Sequence, residues 1–370
     1  MPFFRATRDG RHVVALNVYP GLHQRALTFL DCADNVKSVH EAIARRDADE
    51  LEEAAADAGI IIAKVRSTEE SFQEQQYQHV LQHMPLISVD KIADGDPQPL
   101  AAGASTPLED IRALGMGHVI AGSGIGRDLA SFRADVLNVW RPDDSEVEMF
   151  YWDTQVGMRS AYLSDTGDDR AKLDELLRET DVFFSNRHPA HLEQVGLTAE
   201  KVATGHRGLI HAQVPLHGAE GPWATRPGFD EIGACVSGIF ALGGTLEDPR
   251  MPPLLPIVDN IVGWFGTVGI MEALRRRAAE GGSYRVRVSL TRVCLWLISL
   301  GIFDKEFATT TAGSTAEHSV IPPELFTAKT PLGTYQGMTD QIEFSSLPQG
   351  FTTTVLRPDW APISSPASMR

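Results

Sequence analysis

From Ile111 onward the sequence alternates between short apolar runs and amphipathic stretches of helical period, and this alternation restricts the chain more than any other feature. The apolar runs fall at Ile111–Gly115, Asp135–Trp140, Ser160–Leu163, Asp181–Ser185, Gly208–Val214 and Tyr284–Val288. Helical patterns lie around Gly126–Phe132 and Arg170–Arg178, with further helices from about Asp230 and Asp259 and a last one near Ser289–Leu300. Strands separated by helices pair in parallel, and the helices cover both faces of the sheet. The expectation is an α/β fold whose large domain is a Rossmann-like parallel sheet.

The first hundred residues read differently. A strand at His12–Asn17 is followed by helical patterns at His23–Asp31, Lys37–Arg46 and Asp49–Ala58, ending at Gly59. A glycine closing a helix ahead of Ile60–Val65 predicts a strand directly after it. Residues 93–108 are rich in Pro, Gly, Ala and Asp without apolar period, which reads as a linker. The predicted division is a small α+β domain with a return segment over 1–104 and the large domain over 105–370. From Pro331 the Pro, Thr and Ser content predicts an irregular tail with short β-like pieces such as Gln341–Phe344, and 305–330 carries no assignable pattern.

A formal charge of -16 argues against coating nucleic acid or an anionic membrane, since both need a basic face. No run reaches the ~18 consecutive apolar residues of a membrane span, and Met1–Arg5 does not read as a secretory signal. Cys32, Cys235 and Cys294 are odd in number and widely spaced, which suggests neither a disulfide framework nor a zinc site; a cytoplasmic location is expected.

Several motifs have competing readings. The glycines of Ala121-Gly-Ser-Gly-Ile-Gly126 follow a strand and open a helix, so they serve either phosphate approach or tight helix packing. No ribose-binding acid follows at the usual distance: Glu146 and Glu148 come closest, in a polar loop past Pro142. His188 and His191 have the spacing of a helical metal pair but no second ligand cluster, so no metal is expected. Arg275, Arg276 and Arg277 suit the end of an apolar helix. Without a G-x-S-x-G elbow, a serine hydrolase has no anchor. Asp259 sits between the approach Pro253–Val258 and the apolar run Ile261–Leu274. A carboxylate there is either a helix cap or a weakly hydrated nucleophile facing amide donors.

Six segments, in order over roughly 111–303, resemble the class III CoA-transferases, a family that also contains α-methylacyl-CoA racemases. They are His118-Val-Ile-Ala-Gly122 with Arg133–Pro142, Met158–Leu163, Thr180–Asn186 leading to Gly196-Leu197, Gly221–Asp230, Leu255–Asn260 and Gly281–Leu290. The resemblance implies a CoA-transferase that moves CoA from an acyl-CoA to a free carboxylic acid. Asp259 would be the nucleophile, passing through an acyl-aspartyl anhydride and an aspartyl-CoA thioester. His118, Ala121, Arg141 and Asn186 would contact coenzyme A, a substrate here, with Arg141 near the nucleotide phosphates. Phe229 stands where the family's racemases carry a histidine base, which disfavours epimerisation.

The chain also departs from the family pattern. Ser123 replaces a proline, the turn after the fourth strand reads Ser185-Asn-Arg-His-Pro-Ala190, and no oligoglycine loop is present. The small domain comes first, as in a longer subfamily, so an N-terminal segment is expected to be missing before Met1. A homodimer or hetero-oligomer is expected. Two alternatives remain open: a non-catalytic or subunit-type CoA-binding protein, and an acyl-CoA racemase or isomerase.

Overall fold

The computed structural model describes residues 3–252, 257–330, 333–339, 342, 344–345, 351 and 358–359. The N-terminal unit is an antiparallel sheet of β1 (Phe4–Ala6), β2 (His12–Ala15) and β3 (Ile62–Lys64), in that order. Helices Pro20–Leu30, Val36–Ile43 and Ala48–Asp57 are inserted between β2 and β3. Their apolar stripes meet in a small core of Val13, Ile43, Leu51, Ala55, Ile60 and Ile62. Gly59 takes φ +65° where the third helix stops, a conformation that favours glycine.

The large sheet contains β4 (Ser88–Ala93), β5 (Arg112–Met116), β6 (Asp135–Trp140), β7 (Arg159–Tyr162), β8 (Val182–Ser185), β9 (Ile210–Gln213) and β10 (Ser283–Arg287). Later in the chain come a hairpin, β11 (Leu325–Thr330) with β12 (Gly333–Met338), and the two-residue β13 (Pro358–Asp359). The large-sheet order is β13-β7-β6-β5-β8-β9-β10-β4, parallel except for the antiparallel edge strand β4. Counted from β5, the central six run third, second, first, fourth, fifth, sixth. This doubly wound order places a topological switch between β5 and β8, and the crevice beyond the carboxyl ends of those strands is where such sheets hold ligands.

One face packs on helices Ala121–Ser131, Asp230–Ser237, Ile257–Glu280 and Leu290–Ser299. The other packs on Leu173, Leu176, Leu177, Leu192 and Val202 from three shorter helices. Burial on both faces explains why β8, Val182-Phe-Phe-Ser185, has no polar alternation. The glycines of the 121–126 run are used for packing. A Cβ at Gly126 would lie 2.3 Å from Met158 Sδ, and one on Gly266 of the long helix 2.7 Å from Ile125 Cδ1. Helix Ile257–Glu280 is long and apolar enough to cross a membrane, yet here its Val258, Val262, Ile270 and Leu274 are core residues.

A buried ion network joins the two units. Arg66 donates to both oxygens of Glu52 (2.6 and 2.8 Å) and to Glu74 (2.6 Å), while Arg226 lies 3.4 Å from Glu52. Both guanidiniums sit over the Trp223 ring, at 5.1 and 4.9 Å.

Three sequence readings meet different outcomes. The region around the irregular tail includes helix Lys305–Thr311 and the β11–β12 hairpin, whose half-exposed, threonine-rich strands give little apolar signal. Gln341–Phe344 and the approach Pro253–Pro256 fall wholly or partly outside the described residues. The long helix begins at Ile257, so Asp259 is the third residue of its first turn rather than its N-cap.

Candidate active site

Chain direction brings the functional candidates to one edge. β5, β6 and β8 deliver Gly117-His118-Val119, Arg141–Glu146 and Asn186-Arg187 from their carboxyl ends. The segment after β9 reaches Phe229-Asp230. Helix Ile257–Glu280 leads into parallel β10, so its N-terminal turn, with Asp259, begins at the same edge.

At the switch point, Asn186 fixes the backbone of His118. Its Oδ1 accepts from the His118 amide at 3.1 Å and its Nδ2 donates to the His118 carbonyl at 2.8 Å. A Cβ on Gly122 would stand 2.4 Å from Asn186 Oδ1, so this contact requires glycine. Ala121, buried, is the first residue of the following helix. Val119 takes φ +59°, a left-handed conformation unfavourable for a β-branched residue, and its amide is turned toward Glu146. Ser123, where the resemblance leads one to expect a proline, donates to the Gly117 carbonyl at 3.0 Å and accepts from Gln155 at 2.8 Å. The substitution therefore supplies hydrogen bonds that a proline ring could not.

Arg141 and Arg187 converge on Asp144. Arg141 Nη2 lies 3.1 Å from it, Arg187 Nη1 donates at 2.8 Å, and Arg187 Nη2 is held on the other oxygen. Burial works against the charge on Asp144, but Arg187 and then Arg141 outweigh it and hold its pKa below the usual carboxylate range. Half-buried His118 is pushed down to about 3, by burial first and then by Arg187, so its imidazole is neutral.

The other half of the site is acidic. Asp259 is 5% exposed and pushed up to about 8, by burial first and then by Glu231. Asp230 is fully buried, and neither of its oxygens meets a donor in hydrogen-bonding geometry among the described residues; the nearby Asp259 amide gives only weak relief. Its pKa rises further than that of Asp259, from burial, then Asp259, then Glu231. Such a pair gives up its protons in coupled steps, and Asp259 is the easier of the two to ionise.

Tyr19, from the N-terminal unit, joins the two halves. Its ring stacks on Phe229 with centroids 6.0 Å apart, and its hydroxyl donates to Glu146 at 3.2 Å. Glu146 also accepts from the Val119 amide at 2.7 Å and from its own neighbour Val147 at 2.8 Å. Burial nevertheless keeps its pKa raised.

The five residues singled out from sequence thus share one end of the sheet, with His118, Ala121 and Asn186 in one backbone cluster, Arg141 beside it and Asp259 in the acidic half. Sequence reasoning passed over Asp144, Arg187, Asp230 and Tyr19, and saw Glu146 only as a misplaced ribose acid. Asp230 directly follows Phe229, so it was within reach; Tyr19 had no local signal. The histidines of the possible metal pair diverge, His188 to the Thr225 carbonyl (2.8 Å) and His191 to Asp165 (2.7 Å). Arg275 and Arg276 pair with Glu272, whereas Arg277 is buried against Asp181 at 2.9 Å.

The family model for CoA-transferase family III matches residues 108–331, more than half of the chain. Among curated relatives, acetyl-coenzyme A transferase nodX of Hypoxylon pulicicidum is 32% identical over 54% of this chain and 35% of its own length. The succinyl-CoA–L-malate CoA-transferase beta subunit of Chloroflexus aurantiacus is 31% identical over 48% of each. The chain thus spans from about a third to half the length of these relatives. A solved CaiB/BaiF family protein from Brucella suis aligns over 62% of this chain and 65% of its own at 21% identity, with a TM-score of 0.48.

Proposed function

Because the chain belongs to CoA-transferase family III, we propose that it moves CoA from an acyl-CoA to a free carboxylic acid, with Asp259 as nucleophile. The observation that carries this reading is a buried carboxylate in the first turn of a helix at the ligand-binding edge of the sheet. Once ionised, it is poorly hydrated and reactive.

In the proposed cycle, an Asp259 oxygen bonds to the thioester carbonyl carbon and the carbon–sulfur bond breaks, leaving an acyl-aspartyl anhydride and CoA thiolate. The thiolate attacks the aspartyl carbonyl, releasing the first acid as its carboxylate and forming an aspartyl-CoA thioester. The acceptor carboxylate attacks that thioester, giving a second anhydride and thiolate. Attack of the thiolate on the acceptor acyl carbon makes the new acyl-CoA and restores Asp259.

His118, Ala121, Arg141 and Asn186 would hold coenzyme A at the switch point. Arg141 must exchange Asp144 for a phosphate to do so, since Asp144 holds it here. The altered turn Ser185–Ala190 and the lack of an oligoglycine loop in the sequence favour, as a second reading, a subunit-type CoA-binding protein without turnover. Phe229, stacked on Tyr19, offers no base for racemisation.

The surface around Leu300, Ile302, Phe303 and Phe307 is exposed and apolar, and supports assembly with a second copy or a sister subunit. A monomeric mass by light scattering would remove that part. A cytoplasmic location is consistent with free Cys32, Cys235 and Cys294. The central test is incubation with acyl-CoAs followed by a hydroxylamine quench. A hydroxamate on the Asp259 peptide, absent in Asp259→Asn, is expected; CoA binding without any label would leave the subunit reading.

A further inference from the structure

The proposed transferase still needs a substrate class, and the charge layout around Asp259 supplies one. A dicarboxylic acyl group carries a second carboxylate that must be met by a cation or by several donors once it leaves water. The two arginines nearest the switch point are both committed to Asp144. On the Asp259 side, the charges that act are carboxylates: Glu231 on Asp259, and both Asp259 and Glu231 on Asp230. The segment leading into Asp259, Pro253-Leu-Leu-Pro256, brings no charge by sequence. Asp230 is the direct indicator: among the described residues neither oxygen of its buried carboxylate meets a hydrogen-bond partner, so no unused donor is on offer there for a visiting carboxylate. The surface beside it is aromatic, the Phe229 ring on Tyr19.

Resting on the transferase reading, we propose that this site selects uncharged acyl groups, those of monocarboxylic acids, and discriminates against acyl groups bearing a second carboxylate. The discrimination comes from desolvating that second charge beside the carboxylate of Glu231, with no counter-ion among the described residues to receive it.

Butyryl-CoA and succinyl-CoA test this closely, since each has a four-carbon acyl group and they differ in a terminal methyl against a carboxylate. Two readouts are taken on the full chain: labelling of Asp259 trapped with hydroxylamine, and calorimetric binding to Asp259→Asn, which does not depend on turnover. The expected result is a preference for butyryl-CoA of about tenfold or more in both, the size of one like-charge contact at partial burial. The gap should narrow in Glu231→Gln. Equal handling of the two, or better handling of succinyl-CoA, overturns the selectivity whatever the labelling shows. A tenfold binding preference without any label keeps the selectivity and removes the transferase reading, so the two failures are distinct.

Discussion

Glu52 and Asp230 are both buried carboxylates at the junction of the same two units, and their surroundings treat them in opposite ways. Glu52 receives two hydrogen bonds from Arg66, one from the Lys64 amide and the nearby charge of Arg226. Burial alone would raise its pKa, but Arg66 and Arg226 bring it down to about 2. Asp230 has two carboxylate neighbours and, among the described residues, no donor in hydrogen-bonding geometry, and its pKa rises far above the usual range. The contrast separates architecture from chemistry: a carboxylate that is fully answered holds the units together, while one kept unanswered signals a place where reactivity is retained at the expense of stability.

The comparison can be broken most decisively at the unanswered end. Asp259→Asn should lower acyl exchange by at least about a thousandfold, as removal of a covalent nucleophile does. Exchange within tenfold of the parent protein would move the chemistry elsewhere.

Next in size, Glu52→Gln removes the main counter-charge of buried Arg66 and should cost about 3–5 kcal/mol in urea unfolding. A loss under about 1 kcal/mol would mean Glu52 is no anchor. Because its folded pKa is depressed, this contribution is complete above the unfolded carboxylate range and is lost as pH falls toward about 2.

Asp230→Asn should do the reverse and stabilise the fold. The native state holds a proton there that the unfolded chain releases near pH 4, so the parent protein loses stability as pH rises above that value. The variant should gain about 1–3 kcal/mol at pH 8 and almost nothing at pH 4, read from melting curves at both. Equal curves at pH 8 would show that Asp230 finds a partner in solution.

Smallest is Glu231→Gln. In the proposed mechanism Asp259 must be ionised to attack, so kcat/KM in the parent protein should rise with pH through about 8. Removing the neighbouring charge should move that midpoint down by a fraction of a unit. A midpoint that stays fixed or moves up would exclude Glu231 from the field at Asp259.

Much of this arrangement could be read in the sequence. Asp135–Trp140 and Arg170–Arg178 have the bounds expected of them, because a two-face-buried strand and an amphipathic helix each leave a local period. The helix expected from Gly126 starts five residues earlier, at Ala121, since small residues chosen for close packing resemble a loop in composition. Asp259 stood out through its apolar flanks. Tyr19 and Phe229 are separated in sequence by five strands of the parallel sheet, β5 to β9, and contacts of that kind leave no periodic trace. Nor could composition show that Arg141, read as a partner for phosphate, is held by an acid three residues away.

One further consequence lies in the order of synthesis. Strand Ser88–Ala93 closes the sheet by pairing with Ser283–Arg287, which leaves the ribosome about 190 residues later, on the order of 10–40 s at ordinary elongation rates. Through that interval the early strand is a hydrogen-bonding edge without its mate. Nascent chains halted before residue 283 should therefore be cut by protease at 88–93, and chains released after residue 300 should be protected there; equal cleavage in both would show that the strand finds shelter before its partner is made.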